Sequence, residues 1–157
     1  MIDFKDIPTW WAVCLNDSCP KAAECLRHEA VRCLQENILD WPAVLPKAWQ
    51  DGGCCCFQKA EPVRMAKGFH RLFDKVRSRD ARYGLRMEMT AWLGSKGSYY
   101  RYKDGDRLLS PGQQQHILNL LKGYGIDEED VFDAYVEGYD FRPTRETTEE
   151  PTNTAEE

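Results

Sequence analysis

Seven cysteines in a chain of 157 residues constrain the fold more than any other feature. Three follow the pattern Cys14-x4-Cys19-Pro20-x4-Cys25, Cys33 stands apart, and Cys54-Cys55-Cys56 form a run further on. An odd number fits a disulfide framework poorly. The N-terminus, Met1 to Pro8, has neither a basic start nor an apolar run, so it does not read as a secretory signal. Nor does any stretch approach the roughly 18 apolar residues of a membrane helix. These features predict a cytoplasmic protein with no membrane contact. In a reducing compartment, clustered cysteines more often bind metal or do redox chemistry than pair with one another.

The spacing predicts a first helix from Pro20, with Ser18 as its cap and an apolar stripe of Ala22, Ala23, Leu26, Ala30 and Leu34 running toward Asn37. Cys14 would then lie in a loop, Cys19 at the helix start and Cys25 inside its first half. Three sulfurs converge in that arrangement, and the helix dipole favours their thiolate form. The Gly52-Gly53 turn lets a fourth sulfur, from Cys54, Cys55 or Cys56, approach closely. Four thiolates suit tetrahedral zinc or an iron–sulfur cluster, with His28 available for a Cys3His variant. Cys33 is expected in the core. The competing reading is that several of these cysteines are simply buried thiols, which are common in cores.

The segment Cys19-Pro20-Lys21-Ala22-Ala23-Glu24-Cys25-Leu26-Arg27-His28-Glu29-Ala30 resembles the Cys-Pro-x4-Cys-Leu-x3-Ala segment of the WhiB-like regulators. Those proteins hold a 4Fe-4S cluster on four cysteines and act in redox-responsive transcription. Only Cys19 and Cys25 match directly. The family has Cys-x2-Cys ahead of the proline where this chain has Cys14-x4-Cys19, and its remaining cysteine lies upstream. The whole chain is more similar to an uncharacterised family of small proteins from anaerobic gut bacteria. That resemblance rests on Cys-Pro…Cys-Leu-Arg, Gly-Gly-Cys, Glu61-Pro62-Val63-Arg64-Met65-Ala66, Tyr99-Tyr100-Arg101-Tyr102 and Leu109-Ser110-Pro111…Gln114. It implies Cys54 as the downstream ligand, giving the set Cys14, Cys19, Cys25 and Cys54.

Beyond the cysteines, the pattern is mainly α within an α+β class, with about five helices and one small β-hairpin. A second helix is expected from Pro62, with Val63, Ala66, Phe69, His70, Phe73 and Val76 on one face. His70 on that face reads as a core residue rather than a base. Residues 81–93 suit strand or helix, and their composition and Gly94 favour helix. The Asp104-Gly105 pair between Tyr99–Tyr102 and Arg107–Leu109 signals a hairpin. Ser110-Pro111-Gly112-Gln113 reads as a capping box opening a helix with Ile117, Leu120, Leu121 and Tyr124. Asp127 is expected to cap a last helix that buries Val131, Phe132, Tyr135 and Val136. A single domain over residues 1–143 and a disordered acidic tail over 144–157 complete the organisation, because from Thr144 onward no large apolar residue remains.

The net charge of −5 conceals an asymmetry. Residues 59–103 carry a net +8 and residues 104–157 a net −10. Arg64, Lys67, Arg71, Lys75, Arg79, Arg82 and Arg86 recur at intervals of three or four, and on one continuous helix they would form a ridge able to follow a phosphate backbone. The alternative is a solvated face, or a ridge neutralised by the acidic C-terminal third. No phosphate-binding glycine loop, nucleophile elbow or His-Glu-x2-His pattern is present, so an enzyme is the weaker expectation. Two roles follow from the residues. One is a regulatory or interaction module with a metal site and a basic surface for nucleic acid or an acidic protein. The other is a redox or cluster-dependent accessory protein of an enzyme system.

Overall fold

The computed structural model describes residues 1–141; the expected acidic tail lies outside them. The described residues form an α+β fold with five α-helices and two small antiparallel two-stranded sheets. The helices are α1 (Leu26–Val31), α2 (His70–Lys75), α3 (Arg79–Trp92), α4 (Lys96–Lys103) and α5 (Pro111–Gly123). The strands are β1 (Trp49–Gln50), β2 (Gly53–Cys54), β3 (Val63–Lys67) and β4 (Ala134–Gly138), paired β1–β2 and β3–β4.

Local signals account for the longer helices. Ser78 caps α3 by accepting from Ala81 N at 3.3 Å. Ser110 and Gln113 complete a reciprocal capping box, with Pro111 at the first turn of α5. The expected helix over residues 81–93 and the expected helix after Ser110 are both present.

Four expectations are overturned. Residues 63–67 form β3 rather than the start of a helix, because Val63–Lys67 ladders against Ala134–Gly138. Gly68, at φ +74, turns the chain out of the strand, and a Cβ there would meet Asp133 Oδ2 at 2.5 Å and Lys103 O at 3.1 Å. Residues 134–138 are accordingly β4, not part of a last helix; Val131 and Phe132 are buried as expected, while Val136 is exposed. Tyr99–Tyr102 belong to α4, capped by Ser95, so Asp104-Gly105 follows a helix instead of joining two strands. Tyr99 and Tyr102, three apart, are buried on the inner face of α4, and Tyr100 turns outward. Finally, the segment after Pro20 forms a short 3-10 turn, Ala22–Glu24, and then a six-residue α1.

Two cores result. Thirteen buried residues form the larger one, including Phe69, Leu72, Leu85, Met89, Tyr99, Ile117, Leu121 and Phe132. Seven form the smaller: Ile2, Ile7, Trp11, Val13, Leu26, Ala30 and Phe141. Burial pushes the Tyr99 phenol up to about 12, from an ordinary value of 10.0. The folded state therefore favours the neutral phenol more than the unfolded chain does. This contribution is complete below pH 10 and disappears as pH rises through 12. Alkaline unfolding should consequently set in less steeply across that window for Tyr99→Phe than for wild type, as followed by circular dichroism.

Candidate metal centre

Five of the seven cysteines border one cavity of about 590 Å³: Cys14, Cys19, Cys25, Cys54 and Cys56. They arrive on three segments, each fixed by backbone hydrogen bonds. Cys14 N donates to Arg27 O at 2.9 Å, which lays the incoming chain along the first turn of α1. Cys19 closes a turn by donating from its N–H to Asn16 O at 3.2 Å, and its carbonyl accepts from Ala22 N at 3.0 Å. Cys25 is the N-cap residue of α1; its carbonyl accepts from Glu29 N at 2.9 Å.

The third segment is delivered by a hairpin where the sequence suggested only a Gly52-Gly53 turn. Asp51 and Gly52 have φ of +53° and +76°, the two positive values that a tight two-residue hairpin loop demands. Trp49 then faces Cys54 across the β1–β2 pair. After the cysteine run the chain pairs back onto the α1 entry, with Leu26 N donating to Gln58 O at 2.7 Å and Ala60 N to Glu24 O at 2.8 Å. Cys25 and the Cys54–Cys56 run thus meet through pairing across about thirty residues of sequence, a separation over which only non-local contacts act.

Arg27 ties the segments together. Its Nε donates to Cys56 O at 2.8 Å and its Nη1 to Ala12 O at 2.5 Å, while its guanidinium lies 4.5 Å from the centre of the Trp11 ring. No carboxylate pairs with it among the described residues, and no aspartate or glutamate lines the cavity. His28 is buried beside the same space, with Nδ1 3.2 Å from Cys14 O and Nε2 3.6 Å from the Asp17 carboxylate. Exposed Leu15 and Leu45 also line the cavity and give it an apolar rim.

The other cysteines lie elsewhere. Cys33 is half-buried against the smaller core, its Sγ donating to Glu29 O at 3.7 Å, and burial pushes its thiol up. Cys55 is exposed and does not line the cavity. Burial, reinforced by contact with Cys55, also pushes the Cys56 thiol up, which disfavours its thiolate. Among the described residues no three His, Cys, Asp or Glu side chains are gathered tightly enough to hold one metal ion. The cysteines surround a space instead of meeting at a point. The helix-dipole argument also falls, because α1 is too short and Cys25 precedes it.

The seven basic residues do not share one helix. Arg64 and Lys67 are on β3, Arg71 and Lys75 on α2, and Arg79, Arg82 and Arg86 on α3. Gly68 and the 76–78 segment break the period. Asp130 takes Arg71 through two hydrogen bonds, at 3.2 and 2.7 Å, and Glu128 takes Lys75 at 2.8 Å. The middle of the expected ridge is therefore neutralised by the acidic C-terminal third. Arg64 stacks on Tyr135 at 3.6 Å, and Arg86 donates to the Tyr100 hydroxyl at 2.7 Å. His70 is not a core residue: it is more than half exposed and sits 3.0 Å from Asp104. No helix among the described residues is long and apolar enough to cross a membrane.

The sequence reading missed Arg27, and it offered Cys56 only as an alternative to Cys54 where both border the cavity. Neither carries a local signal, since each matters through partners on other segments. A family model described as a family of unknown function (DUF6078) matches residues 1–141. No curated protein and no solved structure matches the chain.

Proposed function

Because the chain belongs to that family of unknown function, we propose a role from its own cavity: a thiolate-ligated metal group held by Cys14, Cys19, Cys25 and Cys54. The observation that carries the proposal is the convergence of these four cysteines, from three separate segments, on one cavity. Sulfur donors without carboxylates suit zinc or an iron–sulfur cluster and not magnesium or calcium. Four thiolates around a cavity, instead of on a point, suit a 4Fe-4S cluster better than a single zinc ion. Arg27 supports the reading electrostatically. Either group on four thiolates carries net negative charge, and a guanidinium with no acid partner among the described residues is its natural complement.

The site also answers a structural need. The smaller core has seven buried residues, and the strands and helix around it are two to six residues long. Segments of this size commonly rely on a metal or disulfides for stability. We assign the protein the role of a small regulatory or interaction module, with basic residues that have no ion-pair partner among the described residues, such as Lys67 and Arg79, offered to an anionic partner such as nucleic acid or an acidic protein.

Anaerobic purification followed by iron, zinc and sulfide analysis tests the site. The expected result is one metal group per chain, with a visible sulfur-to-iron absorbance for the cluster. Stoichiometric zinc in a colourless protein would correct the cofactor but keep the site. Metal-free protein with all seven thiols titratable while folded would sink the proposal.

A further inference from the structure

The outer surfaces of α3 and α4 carry one arrangement twice. On α3, Tyr83 stands four residues after Arg79 and three before Arg86. On α4, Tyr100 stands four residues after Lys96 and three before Lys103. Residues three and four apart share a helix face, so each tyrosine lies between two cations. Tyr83 is 68 % exposed and Tyr100 36 %. The two triplets meet at Arg86, which donates to the Tyr100 hydroxyl at 2.7 Å and lies 5.7 Å from the centre of its ring. Lys103 Nζ approaches the same ring at 5.9 Å.

None of the four cations has an ion-pair partner among the described residues. Of the acids on α3 and at the end of α4, Glu88 accepts from the Tyr124 hydroxyl and Asp104 sits 3.0 Å from His70. Asp80 lies in the first turn of α3, where it suits the helix dipole. Cations beside exposed rings are what a single strand of nucleic acid needs, because its phosphates meet the charges and its unpaired bases stack on the rings. A duplex keeps its bases stacked inside and would leave the tyrosines unused. An acidic protein would call on the cations alone. From Arg79 to Arg86 is about 10 Å along the helix, the reach of about three nucleotides of a stacked strand. We propose that the α3–α4 face binds single-stranded nucleic acid, with Tyr83 and Tyr100 as stacking platforms and Arg79, Arg86, Lys96 and Lys103 on the phosphates. This inference rests on the anionic-partner half of the reading above and is independent of the metal group.

Fluorescence anisotropy of labelled oligothymidylate and oligouridylate, titrated with the full-length chain as purified, measures the binding. Tyr83→Ala should weaken it about tenfold with its salt dependence unchanged, and Tyr83→Phe should restore it, since stacking needs only the ring. Arg79→Gln/Arg86→Gln should reduce the slope of log affinity against log salt by about 1.4, about 0.7 for each lost phosphate contact. These side chains are exposed, so circular dichroism should be the same for every variant. Tighter binding of one oligonucleotide would name DNA or RNA as the natural strand and sustain the proposal. Equal affinity of wild type and Tyr83→Ala for both strands would overturn it, as would a duplex bound more tightly than either. Heparin, a polyanion without bases, separates this proposal from the reading beneath it. If heparin binds and neither oligonucleotide does, the anionic partner stands and the single strand is refuted; if nothing binds at low salt, both fall.

Discussion

Stripping the metal group from the loaded protein is expected to unfold residues 1–60 while the larger core stays folded. The reason lies in the unequal support of the two halves. Phe69, Leu85, Tyr99, Ile117 and their neighbours form a thirteen-residue core enclosed by helices of up to fourteen residues. The N-terminal part has a seven-residue core, a six-residue helix and a two-residue hairpin, and all seven of its cysteines are free thiols. Structural zinc contributes about 10–16 kcal/mol in small finger peptides that are unfolded without it, and a cluster on four thiolates acts in the same way. Native-state hydrogen exchange before and after chelation is the measurement. Protection at the amides of Val13, Cys14 and Leu26 should fall by about a thousandfold or more, equivalent to about 4 kcal/mol. Amides within α3 and α5 should keep theirs. Identical exchange in the two forms would show that the cysteines do not hold this half together.

What the sequence made legible was what is local. The capping box of Ser110 and Gln113 has both partners within one turn, so its helix could be placed from four residues. The helix found at Arg79–Trp92 was expected over residues 81–93 from composition and Gly94 alone. Asp-Gly occurs twice and shows how such a signal fails. At Asp51-Gly52 it makes a tight hairpin, because Trp49 and Cys54 pair across it. At Asp104-Gly105 it follows a helix, because Tyr99 and Tyr102 bury on one helical face against Phe69 and its neighbours. Residues 63–67 read as helix because their strand partner lies seventy residues away. The same error produced a single basic ridge, which the strand and Gly68 divide. For the cysteines, spacing brought forward Cys14, Cys19 and Cys25 and the family resemblance added Cys54, and all four border one cavity. It placed Cys25 inside a helix that begins one residue later. The clamp that closes the cavity, Arg27 on Cys56 and Ala12, joins residues 15 to 29 positions apart, beyond the reach of any spacing rule.

Trp11→Ala should cost about 3–5 kcal/mol, the usual loss for a buried tryptophan, and should also weaken metal binding. Trp11 is only 2 % exposed and meets Phe141 edge-on at 4.9 Å. Its ring is the shelf on which the Arg27 guanidinium rests, and its carbonyl accepts from Trp41 Nε1 at 2.9 Å. Without the ring, Arg27 loses the packing that aims its two donors at Cys56 and Ala12, so the third cysteine segment is no longer held against the first. Phe69→Ala is the matched control. It removes a fully buried aromatic from the larger core, where Phe69 meets Tyr99 at 5.5 Å, and should destabilise by a similar amount. Its folded fraction should bind cadmium as wild type does, because none of the cavity residues belongs to that core cluster. Urea unfolding monitored by circular dichroism gives the stability losses, and cadmium titration below the unfolding transition gives the affinities. If Trp11→Ala and Phe69→Ala lose stability equally and both bind cadmium with wild-type affinity, then Trp11 is only core packing. Selective loss of affinity in Trp11→Ala would tie the smaller core to the site through the arginine that the ring supports.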